Sequence, residues 1–457
     1  MSGPPSALIA GAGLAGSLTA IILAELGWQV TVLEQRPDPR IVAPGEGRSV
    51  NLGLSARGLA GLAAAGLAEE VLAVTVPMRG RIIHDRDGAL HHQPYGTRAD
   101  EILHSLDRVE LAATLIAAAE RTGRVSFRFD TTVTGVDPER GMLSVQARGT
   151  DQQHEIRADL VIGADGAYSR VRRDLEKAGR CRTRLDILPW GYKELTIPPA
   201  PDGTARTPLE ALHVWPGQEA LIVAHPNRDA SLTATLFLPL EGPEPSAASL
   251  REDTAFRQWF DAAFPDAPAL MPRRVEEFRE RPTGRLVTVR TDPWVHGGTV
   301  ALIGDAAHAV YPFYGQGMNS AFEDVLVLRE CLLTAGATDA SPAALGAALA
   351  AYAVRRKPHL DVLATLSERN FEELRRKTAS PWFRLRKQAD LVLHRAFPRA
   401  WVPLYTMVSH RRIPYGDAVR RAHRQDRILA WGLGASGLAG IAIGTSAYRR
   451  TRTGGRR

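Results

Sequence analysis

A short apolar run, Ala7-Leu8-Ile9-Ala10, leads directly into Gly11-Ala12-Gly13-Leu14-Ala15-Gly16. This leaves the chain little choice. A buried strand must stop, turn tightly and enter a helix, and glycines permit that turn. Gly11, Gly13 and Gly16 let the backbone approach a pyrophosphate at the positive end of the helix. Leu14, Leu18, Ile21, Ile22 and Leu26 recur at helical spacing, which predicts a helix from about Gly13 to Leu26, stopped by Gly27. Val30-Thr31-Val32-Leu33 reads as a second strand. It ends at Glu34, 23 positions after Gly11, where a carboxylate can accept hydrogen bonds from ribose hydroxyls. The opening is a βαβ unit for a dinucleotide.

A second motif lies almost 300 residues on. Ala301-Leu302-Ile303-Gly304-Asp305-Ala306-Ala307-His308 leads into Pro312-Phe313-Tyr314-Gly315-Gln316-Gly317-Met318-Asn319. Asp305 ends a strand, suited to ribityl or ribose hydroxyls. Gly315 to Asn319 open a helix whose free N–H groups and dipole stabilise negative charge on a reduced flavin. Between the two motifs, Gly163-Ala164-Asp165-Gly166 follows a buried strand. Alone it is a simple turn; it resembles the Asp-Gly signature of aromatic hydroxylases, which implies that Asp165 lies near the cofactor's pyrophosphate. The three in this order point to bound FAD whose isoalloxazine faces an aromatic substrate. A second nucleotide fingerprint is missing, as expected if a nicotinamide cofactor only visits. His308 reads as a structural histidine beside the cofactor.

At 457 residues, two or three structural units are expected. Residues 55–75 and 109–121 read as helical. Strands are expected over 79–84, 89–95, 125–129, 132–136, 143–147 and 158–163. From about Leu185 to Arg290, alternating runs broken by Pro and Gly suggest a mixed sheet with a helical insert near Thr254–Phe264. Beyond Ser320 the pattern is helical to about Arg427. Net charge is +7, but only five of the 57 basic residues are Lys, and they are dispersed until the C-terminus. That excludes a nucleic-acid partner. Cys181 and Cys331 lack metal-ligand spacing, so no metal is expected, and their scarcity suggests a reducing compartment. No secretory signal is expected, which places a catalytic domain in the cytoplasm.

Several stretches carry a narrower resemblance: Gly47-Arg48-Ser49-Val50-Asn51-Leu52, Pro77–His84, Gln93-Pro94-Tyr95-Gly96, Gly191-Tyr192-Lys193-Glu194-Leu195, Leu212–Pro216 and Val402–Val408. On these and the flavin motifs the chain resembles the kynurenine 3-monooxygenase family, within the class A flavoprotein aromatic hydroxylases. The resemblance implies an α/β fold: a Rossmann-like FAD-binding domain of the p-hydroxybenzoate hydroxylase type, an interrupting mixed β-sheet substrate domain and a C-terminal helical region. The FAD-binding domain would occupy 1–78, 99–184 and 285–345, and the substrate domain 79–98 and 185–284. A helical region over 346–427 would close the pocket. The implied reaction hydroxylates L-kynurenine, or a close aryl amino acid, with NADPH and O2 through a flavin C4a-hydroperoxide.

The same resemblance implies roles for residues. Arg81 would grip the substrate carboxylate as a planar bidentate donor. Tyr95, Asn370 and Tyr405 would add hydrogen bonds, and Leu221, Val223, Phe237, Pro312 and Phe313 would surround the ring. The carried-over cofactor set is Ala15, Glu34, Gln35, Arg36, Gly53, Arg108, Val133, Asp305, Met318 and Asn319, beside Gly11, Gly13, Gly16, Asp165 and Gly317 from the motifs. Catalysis is flavin-centred, with no certain catalytic side chain. The chain departs from the family pattern at Tyr314 and Gly53, and at Glu372 near the pocket helix, which is expected to point outward.

Residues 428–448 carry no charge and would span about 31 Å as a helix, enough to cross a hydrocarbon core. Gly432, Ser436, Gly440 and Gly444 would form one small-residue face. Arginines flank the stretch, and 449–457 is a basic tail. A membrane anchor or interfacial helix is the expectation. Two alternatives remain for activity: a flavin hydroxylase of another 2-aminoaryl or aromatic acid, and a membrane-bound flavin dehydrogenase reducing a quinone.

Overall fold

The computed structural model describes residues 3–41, 51–217, 219–337, 340–373 and 381–429. The matched residues 47–50, the anchor stretch from residue 430 onward and the tail 449–457 lie outside them.

Ser6–Ala10 is the centre of a six-stranded sheet. It pairs in parallel with Gln29–Leu33 and Leu160–Gly163; Val125–Arg128 and Val300–Leu302 extend the two sides, also in parallel. Val295–His296 closes one edge antiparallel. Ala7 to Ala10 and Leu160 to Gly163 are buried throughout, the pattern of strands covered on both faces. The expected motif helix is Leu14–Glu25, and it packs against helices Arg108–Arg121 and Gly317–Thr334.

A seven-stranded sheet forms the other layer. Its order is Gly284–Asp292, Arg182–Ile197, Leu232–Pro239, Leu221–Pro226, Ala211–Trp215, Gly80–His84, Leu90–Pro94. All pairings are antiparallel except that of Ala211–Trp215 with Gly80–His84. Strands from residues 80–94 thus join a sheet whose other members begin about 100 residues later. Arg182–Ile197 is longer than the alternation suggested. Its register to Gly284–Asp292 shifts between Ile187 and Gly191, where Pro189 cannot donate to the ladder. One face is covered by helices Asp253–Ala263, Ala267–Leu270 and Arg274–Glu280, with Trp215, Ile222, Ala224, Leu236 and Phe256 in the core between them.

Three short strands, Leu52–Leu54, Leu103–Leu106 and Val76–Met78, form a small antiparallel sheet that the periodicity did not suggest. The expected helix over 55–75 is two pieces, Ala56–Ala64 and Ala68–Leu72, separated around Gly66 at φ +67°. Beyond the second motif the chain is helical: Pro342–Glu372, Pro381–Ala396, Leu404–Ser409 and 415–429. Among the described residues no helix is long and apolar enough to cross a membrane. Cys181 and Cys331 are free and buried.

Candidate active site

Gly11 sits at φ +100°, and a Cβ there would come within 2.6 Å of the Ala164 carbonyl oxygen. A Cβ on Gly16 would stand 2.0 Å from the Gly11 oxygen. These two positions fix the turn. Gly13 and Gly317 differ: a Cβ at either would meet nothing within 4 Å. Each stands at the amino end of a helix, and neither helix has a side chain capping its first N–H groups. Uncapped donors beside open space suit a diphosphate and the polar edge of a flavin. The residues present therefore fit FAD.

Glu34 is buried. Its Oε2 accepts from the Ala12 N–H at 2.9 Å, and its Oε1 accepts from the N–H and Nε of Arg36 at 3.1 and 2.9 Å. It ties the glycine turn to the second strand and retains acceptor capacity for a ribose. Gln35 and Arg36 line a cavity of about 320 Å³ with Thr132 and residues 146–150; half-buried Val133 follows Thr132. Asp305 is exposed among buried neighbours, just after Gly304 at φ +58°. Ala15 and Met318 are half-buried, and Arg108 is exposed at a helix start.

Two members of the expected cofactor set have clear structural work. The Asp165 Oδ2 accepts from the N–H groups of Arg170 and Val171 at 2.6 and 3.2 Å, starting helix Arg170–Lys177. Burial raises its carboxyl pKa. Asn319 is fully buried and brackets three segments. Its Oδ1 accepts from the Ser55 N–H at 2.9 Å, and its Nδ2 donates to the carbonyls of Gly53 and Gly315 at 2.8 and 2.9 Å.

The sheet register builds the second half of the site. Arg81 stands opposite Leu212, Val214 opposite Val223, Leu221 opposite Phe237, and Phe237 opposite Tyr192. Residues two apart share a face. Arg81, Leu212, Leu221, Val223 and Phe237 therefore point to one side, away from the helix-covered core. Arg81 is half-buried with Nε enclosed and without a partner. Its guanidinium lies 4.7 Å from the Tyr405 ring centroid and 5.6 Å from that of Tyr95, and the two rings stack at 5.6 Å. Tyr405 comes from helix Leu404–Ser409, so the helical region reaches the sheet here. Among the described residues no carboxylate pairs with Arg81. Among the described residues the buried Tyr95 hydroxyl makes no hydrogen bond of normal geometry, with Arg81 and Tyr405 its nearest polar neighbours. Burial lifts the Tyr95 phenol above its usual pKa, and neighbouring Tyr405 adds to the effect.

Leu221, Val223, Phe237 and Phe313 belong to one apolar cluster with Trp190, Tyr311 and Phe371. Phe313 stacks on Phe371 at 4.4 Å and meets Phe237 at 5.1 Å. Pro312 is exposed. Asn370 donates from Nδ2 to the Phe313 carbonyl at 2.6 Å. Its hydrogen bond among the described residues goes to the aromatic side and not to the Arg81 group. Glu372 is exposed, in line with its expected outward direction. Trp190, Phe371 and buried Tyr314, 6.0 Å from the Tyr405 ring, join the site without having been expected there. Aromatics in an apolar run give no signal of which cavity they line.

A buried ionic network backs the flavin motif. Arg356 donates to Asp324 at 2.7 Å and to Glu323 at 2.6 Å; Arg57 donates to Glu323 at 2.6 Å. His308 Nε2 meets Asp324 Oδ2 at 2.5 Å. His308 is thus held by a buried carboxylate, as a structural residue would be. Burial alone would raise the carboxyls of Glu323 and Asp324. Arg356 and Arg57 on one, and His308 and Arg356 on the other, overcome it and hold both below their usual values.

A family model described as an FAD binding domain matches residues 5–365. A protein of Salinispora arenicola named kynurenine 3-monooxygenase is 53% identical over 454 residues, covering 98% of each chain. One of the same name from Myxococcus xanthus is 42% identical over 422 residues, covering 92% of this chain and 89% of that protein. The fold is similar to 2-methyl-3-hydroxypyridine-5-carboxylic acid oxygenase, with a TM-score of 0.67 at 22% identity, covering 83% of this chain and 95% of that one. It is also similar to P. aeruginosa PqsL in complex with 2-aminobenzoylacetate, with a TM-score of 0.65 at 23% identity, covering 81% and 97%. The Rossmann-like FAD domain, the mixed sheet and the helical C-terminal region match that fold, and the chain belongs to the kynurenine 3-monooxygenase family of FAD-binding proteins.

Proposed function

We propose that this chain hydroxylates L-kynurenine to 3-hydroxykynurenine, with FAD bound, NADPH as transient reductant and O2 as co-substrate. The observation that carries the reading is Arg81: a half-buried guanidinium with no carboxylate partner among the described residues, beside two tyrosines, on a sheet face that continues into an aromatic cluster. An aryl amino acid supplies the missing carboxylate and the ring.

Bound FAD, reduced by NADPH, supplies the activation of oxygen. The protein's residues position and exclude. Arg81 holds the carboxylate, with Tyr95 and Tyr405 as hydrogen-bond donors. Leu221, Val223, Phe237 and Phe313 hold the ring in a dry cavity, so oxygen transfer competes with loss of hydrogen peroxide. An aminobenzoyl ring is already activated ortho to its amine, so no strong base is needed. Glu34, Gln35, Arg36, Val133, Arg108, Asp305, Met318 and the glycines would hold FAD, with Asn319 and Asp165 keeping its surroundings in shape.

The test is NADPH oxidation by the holoenzyme across a panel of aryl amino acids and aromatic acids. Kynurenine should stimulate oxidation and yield one hydroxylated product per reductant. Coupled turnover of a different 2-aminoaryl acid alone would move the assignment to that substrate. Electron transfer to quinone without hydroxylation would replace it. The uncharged stretch 428–448 supports membrane association; unchanged partitioning after deletion of residues 428–457 would remove that part.

A further inference from the structure

His225 takes no part in the account so far, yet the register puts it on the sheet face that carries Arg81 and the ring-lining residues. His213 stands opposite Ala224 in an antiparallel pair, so Leu212, one step back, faces His225. Leu212 also faces Arg81 on its other side. Arg81, Leu212 and His225 thus form one row across three adjacent strands, on one face of the sheet. Arg81 and His225 are two strand spacings apart, about 10 Å between backbones. Leu212, between them, packs with Met78, Tyr95, Leu103 and Tyr405. On the other side of His225 along its own strand come Val223 and Leu221 of the ring-lining cluster. The adjoining Pro226 carbonyl accepts from Asn51 Nδ2 at 3.3 Å, which ties this end of the strand to the segment that carries Gly53.

The imidazole stands in its row between Leu212 on one strand and Thr233 on the other. It is half-buried, and its Nδ1 is enclosed with no hydrogen-bond partner. That nitrogen is closed to a ligand; among the described residues the other ring nitrogen, Nε2, makes no hydrogen bond and is the atom a ligand could meet. Burial also lowers the pKa of His225 to about 4, so the ring is neutral in ordinary buffers. A neutral imidazole keeps a lone pair with which to accept from an N–H donor.

We propose that His225 is a specificity-determining residue that accepts a hydrogen bond from the ring amine of the bound aryl amino acid. The proposal rests on the kynurenine reading of the site. Arg81 would fix one end of the ligand and His225 the amine at the other, with Leu212 between them. Accepting from the amine also favours donation of its electron pair into the ring, which aids attack by electrophilic oxygen at the ortho carbon.

The test compares two ligands of the FAD-loaded enzyme: kynurenine and its analogue with an unsubstituted phenyl ring. Binding is read from flavin fluorescence, and turnover from hydroxylated product. His225→Leu keeps the bulk and should weaken kynurenine binding about tenfold, with little change for the phenyl analogue. His225→Gln, which keeps an acceptor, should recover much of the loss. Between pH 5.5 and 8 the preference for kynurenine over the analogue should stay flat in the native enzyme. Equal effects on both ligands in both variants, or no effect in either, would overturn the assignment. A native enzyme that handles neither ligand would overturn the kynurenine reading and this inference with it, a result distinct from the first.

Discussion

Among the described residues, the arginines at the flavin motif and the arginine of the mixed sheet are set in opposite ways. Arg57 and Arg356 are surrounded by their counter-ions: Glu323, Asp324, the Val408 carbonyl and the Ser320 carbonyl fill their donors. Arg81 has two tyrosine rings and, among the described residues, no carboxylate. The first cluster is complete within the fold; the second is completed by something that binds. A buried arginine is thus informative through its partners rather than through its burial.

The largest expected contrast comes from removing one arginine from each cluster. Arg356→Met leaves Glu323 with one cation and Asp324 with only His308. Breaking such a pair costs about 3–5 kcal/mol, visible as a lower denaturant midpoint. Arg81→Met removes a charge that no carboxylate among the described residues pairs with, so stability should stay within about 1 kcal/mol of the native value. Its coupled kcat/KM for kynurenine should fall about 100-fold or more, the scale for leaving a buried carboxylate unpaired. Equal stability losses in the two variants would abolish the distinction, and unchanged coupled turnover in Arg81→Met would remove Arg81 from the site.

Acid and alkali should separate the clusters next. Glu323 and Asp324 titrate below their usual values when folded. The unfolded chain then takes up protons first as pH falls. The stability they contribute is present above about pH 4.5 and is lost as pH drops through their folded values. Tyr95 and Tyr314 have raised phenol pKa values, chiefly through burial. Here the unfolded chain loses protons first, so their contribution is present below about pH 10 and is lost above it. Denaturant midpoints across pH should therefore show an acid limb that flattens in Arg356→Met and persists in Tyr95→Phe. An unchanged acid limb in Arg356→Met would detach the network from acid stability.

Legibility in the sequence follows the range of the physics. The glycine turn was readable because Gly11 and Gly16 answer to contacts within the turn and with Ala164. Most strands of the mixed sheet showed as alternation, since one face is apolar. Leu52–Leu54, Val76–Met78 and Leu103–Leu106 did not, because three or four residues carry too little period. Arg81 was singled out by resemblance, and nothing local said that Tyr405 would come to lie over it from more than 300 positions away. The partners of Arg57 are likewise remote, Glu323 lying 266 positions on and Ile413 356. His225 went unread for a related reason: its face is set by pairing with another strand, and a slip of one residue would have turned it into the helix-covered core.

The smallest effects test the comparison at single hydroxyls. Among the described residues the buried Tyr95 hydroxyl makes no hydrogen bond of normal geometry, whereas the equally buried Tyr352 hydroxyl donates to the Leu302 carbonyl at 3.1 Å. Removing either oxygen changes volume little. Tyr352→Phe abandons a carbonyl at the end of the parallel strand that leads to Gly304, and should cost about 1 kcal/mol of stability with kynurenine binding unchanged. Tyr95→Phe deletes an unsatisfied group, so stability should hold or rise slightly. Kynurenine affinity should drop about fivefold through loss of one hydrogen bond to the carboxylate. The reverse pattern, with Tyr95→Phe costing stability and Tyr352→Phe costing affinity, would mean that the open donors around Arg81 are not addressed to a ligand at all.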